Sequence, residues 1–241
     1  MNLETFPKEI KDDIEDQSLA LLARINENIL VIGGWAVRGL LGEKHGRYTL
    51  DIDAVASKES RDQVAMKLIA AGLKPKRADW GVQYFKQYEP EVDVPKGVDI
   101  SKVELRIEIS GPRISEFSTP HYFEFSLDEF VTRSIPFHRN AVVVETMVPP
   151  MKHMAAVKLG LPVDYKNNFD SMMLLQSCEV HDVVEIILQN DSWSEMVLRR
   201  MPKLIGRIKD KNGIAHLLAM NAGINIQNHI RKLKEIESLL R

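Results

Sequence analysis

The chain has 241 residues and 44% hydrophobic content, enough to bury roughly 70 to 75% of its unfolded surface in one large domain or two modest ones. Thirty-two basic against 34 acidic residues leave a net charge of −2, which excludes a global field for nucleic acid or an anionic membrane and makes any such binding local. The single Cys178 excludes an internal disulfide and, with no cysteine cluster, argues against structural zinc, so a reducing cytoplasm is the expected compartment.

The opening MNLETFPKEIKDDIEDQ is charged where a secretory signal is apolar, and no run of 18 apolar residues follows anywhere; neither signal nor membrane span is predicted. Ile10, Ile14, Leu21 and Ile25 recur at helical spacing, predicting an amphipathic helix over 7–26 with Pro7 near its first turn. Residues 29–32 read as a buried strand ending at Gly33-Gly34, and 35–41 as a helix stopped by Gly42. Residues 50–55 form the next strand, and Ser60 caps a helix over 60–71 closed by Gly72. Strands follow at 82–88, 98–110, 122–125 and 141–147. After Pro149-Pro150 the chain carries almost no strand signal and many helix formers. The fold class is therefore α+β: a mixed sheet flanked by helices over 1–148, then a helical domain over 149–241.

Successive side chains of a strand point to opposite faces, so Asp51 and Asp53 share one face while Leu50, Ile52 and Ala54 turn to the core. Two carboxylates about 4 Å apart repel by roughly 4 kcal/mol at an effective dielectric near 20, so such a pair takes a proton or holds a cation. Oxygen-only ligation favours Mg2+ or Mn2+. An isolated Asp-x-Asp is also an ordinary turn or solvated strand end. Here it follows an apolar strand, a glycine pair and a helix start, whose backbone N–H groups suit phosphate. Neither a dinucleotide fingerprint nor a P-loop can be written over the segment. In VELRIEIS, Glu104, Arg106 and Glu108 alternate with Val103, Leu105, Ile107 and Ile109, offering a third carboxylate.

The order strand, Gly33-Gly34, helix, Asp51-Ile52-Asp53 resembles the signature of the DNA polymerase β-type nucleotidyltransferase superfamily. The resemblance implies a nucleotidyltransferase fold and a metal site of Asp51, Asp53 and Glu108, with Glu104 in reserve. It also implies nucleotide binding by Gly33, Gly34 and Arg47. VPPMKHMAAVKLG and YKNNFDSMMLL resemble AbiEii-like nucleotidyltransferases, the toxins of type IV toxin-antitoxin pairs, which implies Lys158 on the triphosphate and Asp170 bracing it or the nucleotide. Asn167 stands where those proteins often carry aspartate. The GGWA opening and the long gap before Asp51 are more similar to lincosamide and aminoglycoside nucleotidyltransferases. The likeness spans roughly residues 25–180 and is most specific from Gly33 to Asp53.

What the resemblance implies is a two-metal, in-line transfer of a nucleoside monophosphate from a nucleoside triphosphate to a hydroxyl of an RNA, a protein or a small molecule. A toxin-like enzyme with an antitoxin partner leads, followed by an antibiotic-modifying enzyme with an acceptor pocket walled by Trp80, Tyr84 and Tyr88. A catalytically silent binding module is the alternative outside enzymes. Arg199, Arg200, Lys203, Arg207 and Lys211 offer a basic stretch for RNA phosphates or, equally, a solvated face, with Pro202 breaking the helix between them. His45 and His153 have no metal-ligand spacing and are expected to sit at the surface or to assist locally.

Overall fold

The computed structural model of the protein describes residues 6–78, 81–115 and 120–241. The chain forms two compact units. The first comprises Met1–Gly39, Arg47–Pro112 and Ser126–Pro149; the second takes Leu40–Gly46 and Arg113–Phe125 together with Pro150–Arg241. The class is α+β, with a mixed sheet flanked by helices in the first unit and helices in the second.

In the first unit, helix α1 (Lys8–Leu22) follows Pro7 and buries Ile10, Ile14, Leu19 and Leu22. It stops short of residue 26: residues 23–25 turn, and Asn26–Asn28 forms a 3-10 helix. Strand β1 (Leu30–Ile32) runs directly into α2 (Gly33–Leu41), so the glycine pair lies inside the first helical turn instead of before it. Strand β2 (Asp51–Val55) precedes α3 (Lys58–Ala70). Ser57, not Ser60, caps α3, its Oγ accepting the Ser60 N–H at 3.2 Å. Then come β3 (Lys74–Arg77), β4 (Gly81–Gln87) and β5 (Glu104–Ser110), the last six residues shorter than its apolar pattern predicts because 98–103 is turn and loop.

These strands make one sheet in the order β1-β2-β5-β4-β3. β2 and β5 are parallel and every other pair is antiparallel. Partners across a sheet share a face. Ile52, Ile107 and Tyr84 therefore occupy one side, and all three are buried; Asp53, Glu108 and Gln83 occupy the other, with Asp51, Arg106 and Phe85 in the next row. β3, with sequence KPKR, is exposed throughout and sits at the sheet edge, the position that tolerates Pro75.

The second unit contains the hairpin of β6 (Arg113–Ser115) and β7 (Tyr122–Glu124). A second hairpin, β8 (Val131–Pro136) with β9 (Val143–Val148), belongs to the first unit, where β9 packs on β1. The helices of the second unit are α4 (Met151–Gly160), α5 (Tyr165–Gln176), α6 (Val180–Leu188), α7 (Asp191–Lys209), α8 (Ile214–Asn221) and α9 (Ile226–Leu240). α7 continues through Pro202, against expectation. An interior proline costs about 3 kcal/mol, and the fully buried Trp193, Val197, Met201 and Ile208 offset it. Trp193 packs where a side chain on Gly160 would stand and donates Nε1–H to the Ala156 carbonyl at 3.1 Å. No helix among the described residues is long and apolar enough to cross a membrane.

Candidate active site

The first unit brings the three acidic residues into two adjacent parallel strands. Asp53 lies alongside Glu108, and Asp51 alongside Arg106. Asp51 and Asp53 are half-buried and flank the fully buried Ile52, as strand alternation requires; Glu108 is buried. Glu108 Oε2 accepts a hydrogen bond from Gln83 Nε2 at 2.7 Å. Its Oε1, and Oδ1 of Asp51, are buried and meet no hydrogen-bond partner among the described residues. Burial pushes the Glu108 carboxyl above the usual carboxylate range; the Asp51 charge adds to the rise, while the Gln83 bond and the Arg106 charge oppose it. Glu104 lies a row further along β5, half-exposed, and pairs with Arg106 at 3.3 Å, so Glu108 is the better placed of the two.

Why two glycines open the helix follows from what stands over them. β1 ends with Ile32 opposite Asp53, which delivers Gly33 to the Asp53 carboxylate. A Cβ on Gly33 would overlap Asp53 Oδ2, and the backbone there has φ +67°. A Cβ on Gly34 would lie 2.8 Å from Thr49 Cγ2 and 2.9 Å from Arg47 Nη2. The pair therefore makes room for the site's own side chains as well as for close approach to the backbone. Arg47 is buried with its guanidinium against Gly34, and its carbonyl accepts from Arg38 Nη2 at 2.5 Å.

By chemistry the donor set fits a hard divalent cation: carboxylates alone, on one sheet face, with two buried oxygens unpartnered. As the side chains lie, no three His, Cys, Asp or Glu residues among those described are grouped to hold a metal ion.

Lys158 and Asp170 are brought together within the second unit. Lys158 Nζ is 2.8 Å from Asp170 Oδ2 and donates to Asn167 Oδ1 at 3.0 Å, so Asn167 contributes a dipole and no charge. His45, expected at the surface, is buried, with Nε2 3.0 Å from Asp170 Oδ1. His153 is buried too. Nothing in the spacing of His45 announces this pairing, 125 residues away in sequence. Tyr84 and Tyr88 are not pocket walls: both are buried, and the Tyr88 hydroxyl donates to Asp13 Oδ2 at 2.6 Å. Trp80 lies outside the described residues. Of the basic stretch, Arg199, Lys203, Arg207 and Lys211 are exposed, whereas Arg200 turns inward and donates to the Gly160 carbonyl.

The chain matches no protein-family model and no curated protein. Among solved structures it is similar to a candidate nucleotidyltransferase from H. pylori, at 14% identity and a TM-score of 0.49 over 98% of this chain and 96% of that one. It is also similar to the antibiotic-resistance factor ANT(2'')-Ia, at 13% identity and a TM-score of 0.48 over 80% and 99%.

Proposed function

We propose that the chain is a divalent-metal-dependent nucleotidyltransferase of the DNA polymerase β type, moving a nucleoside monophosphate from a nucleoside triphosphate to an acceptor hydroxyl. The observation that carries this reading is the parallel register of β2 and β5, which sets Asp51, Asp53 and Glu108 on one face with unpartnered oxygens on Asp51 and Glu108. Asp51, Asp53 and Glu108 would hold Mg2+ or Mn2+; when bound, the ions neutralise charge on the attacking and leaving oxygens of an in-line displacement. The N–H groups of the first α2 turn and the Arg47 guanidinium would bind phosphate oxygens. The acceptor oxygen would bond to the α-phosphorus as the bond to the departing pyrophosphate breaks, with Glu108 Oε1 as the group that would take the hydroxyl proton. Lys158, braced by Asp170, is assigned to the triphosphate by the sequence resemblance.

The acceptor classes are an RNA, a protein or a small molecule, with a toxin-like role beside an antitoxin as the leading biological setting. A groove of about 700 Å3 in the first unit includes Lys74, Phe85, Gln87 and Glu104 from the face that carries Glu108; none of the three carboxylates lines it. An acceptor bound there would approach along that face.

The test is label transfer from each α-labelled triphosphate into total RNA, total protein and an antibiotic panel, with Mg2+ or Mn2+. Transfer that disappears in Asp51→Asn and Glu108→Gln supports the proposal. Triphosphate binding without transfer, unaltered by Asp51→Asn with Asp53→Asn, replaces it with the silent module.

A further inference from the structure

Helix α1 buries four acidic side chains, Asp12, Asp13, Glu15 and Asp16, on the side that its apolar stripe would leave to water. A buried carboxylate costs several kcal/mol unless it is paired and hydrogen-bonded, and each of these is. Arg139 lies 2.5 Å from Asp13, 3.1 Å from Asp16 and 3.1 Å from Glu91. The backbone N–H of His138 donates to Asp16 at 2.7 Å.

Glu15 is placed differently from the others, because its partners belong to the segment that enters the candidate site. Its Oε1 accepts the backbone N–H of Thr49 at 2.5 Å, two residues before Asp51. Its Oε2 accepts from Arg38 Nη1 at 2.6 Å, and the other end of that guanidinium holds the Arg47 carbonyl. The same Oε2 is 2.6 Å from Nε2 of His138. Next to it, Asp12 accepts from the Tyr48 hydroxyl at 2.8 Å. Arg47, Tyr48 and Thr49 are thus held one after another from a single turn of α1.

We propose that Glu15 is the positioning residue for the segment carrying Arg47 and Asp51, and that His138 acts as its protonated partner, so that the hold loosens as His138 loses its proton. The proposal rests on the nucleotidyltransferase reading for what the segment does, and on this geometry alone for how it is held. The charged groups facing His138 are Glu15 and Asp12 of α1, with Nδ1 3.8 Å from Asp12, together with Arg38 of α2; the Tyr48 ring stacks obliquely at 6.1 Å. The bond to Glu15 raises the pKa of His138, and the Glu15 and Asp12 charges add to it against burial and Arg38. A raised histidine pKa means the contribution is complete below pH 6.5 and fades as pH climbs through the folded-state value.

The test follows hydrogen exchange at the Thr49 amide, corrected for its intrinsic pH dependence, and the His138 ring titration by NMR in the intact chain. In the wild type, Thr49 exchange accelerates at least about tenfold across the His138 titration. In His138→Gln, which keeps a donor but cannot titrate, that step vanishes. Glu15→Ala exposes Thr49 at every pH and returns the His138 titration toward that of a free histidine; if this variant does not fold, His138→Gln decides alone. Thr49 equally protected in folded Glu15→Ala, or the wild-type step persisting in His138→Gln, overturns the proposal. Failure of the wild type to bind any triphosphate counts against the functional reading only, since the exchange measurement needs no ligand.

Discussion

Replacing Gly33 with alanine perturbs the candidate site through a single methyl group. Two costs can be worked from the geometry. At φ +67° an alanine pays about 1–2 kcal/mol for left-handed backbone. The new Cβ also overlaps Asp53 Oδ2 and lies 2.9 Å from Cγ and 3.0 Å from Cβ of Asp53, so rotating the carboxylate alone does not clear it, and overpacking of this kind costs about 1–3 kcal/mol. A total near 3 kcal/mol lowers Tm by roughly 6 to 12 °C for a chain of this size. Gly42→Ala is the control, because φ there is +60° with open space around the Cβ position, leaving only the backbone cost. Thermal melts by circular dichroism should place Gly33→Ala well below Gly42→Ala. An Asp53→Ala background should recover about 1–2 kcal/mol of the difference through a double-mutant cycle. If Gly33→Ala costs no more than Gly42→Ala, the close approach of the α2 turn to Asp53 is not real and the site geometry built on it fails.

Three further outcomes follow from residues away from the site. Pro202→Ala, at an exposed interior position of α7, restores a helix hydrogen bond and should stabilise the chain by up to about 3 kcal/mol; a lower Tm would contradict it. Burial pushes His229 down to about 3, with the Lys232 charge assisting, so below pH 6.5 the unfolded chain takes a proton that the native state refuses. Stability should therefore fall with acidification by about 2 kcal/mol at pH 5, and urea titrations of His229→Gln should show that limb flattened. The Cys178 thiol, raised to about 11 by burial, should ignore Ellman's reagent at pH 8 until the protein is unfolded; rapid labelling of the native state would show that its burial is wrong.

The common sheet face of Asp51, Asp53 and Glu108 was legible because strand alternation is a strict geometric rule. In VELRIEIS and LDIDAV the polar and apolar residues alternate, and the parallel register of the two strands then places Glu108 beside Asp53. The helical character after Pro150 was legible from propensity. What escaped had no local pattern. β3, with sequence KPKR, is held by its neighbour β4 rather than by burial of its side chains. The apolar residues of 98–103 suggested a strand, but Val103 is buried beyond the end of β5 and the backbone before it turns. Tyr84 and Tyr88 suggest pocket walls in the sequence, yet the first falls on the apolar face of the sheet and the second is bonded to Asp13. Asp12, Asp13, Glu15 and Asp16 looked like the wet side of an amphipathic helix, because their partners Arg38, His138 and Arg139 come from distant segments. His45 was misplaced for the same reason: Asp170 is remote in sequence.

Two buried carboxylate oxygens without partners, on Asp51 and Glu108, are an arrangement that folding alone disfavours. Their mutual charge effect compounds it, since Asp51 helps to keep the Glu108 carboxyl above its usual range. If that unfavourable arrangement is retained for a ligand, removing one charge should help the protein when no cation is present and harm it when one is. Glu108→Gln should thus melt at or above the wild-type temperature in chelator. Magnesium with a triphosphate at about 100 times its Kd should stabilise the wild type by roughly 2.7 kcal/mol, and Glu108→Gln should lose most of that gain. Differential scanning calorimetry across the four conditions measures both signs. A Glu108→Gln variant that is weaker in chelator, yet gains as much as the wild type from magnesium and triphosphate, would make Glu108 a structural residue bonded to Gln83, and the cation would have to be sought elsewhere.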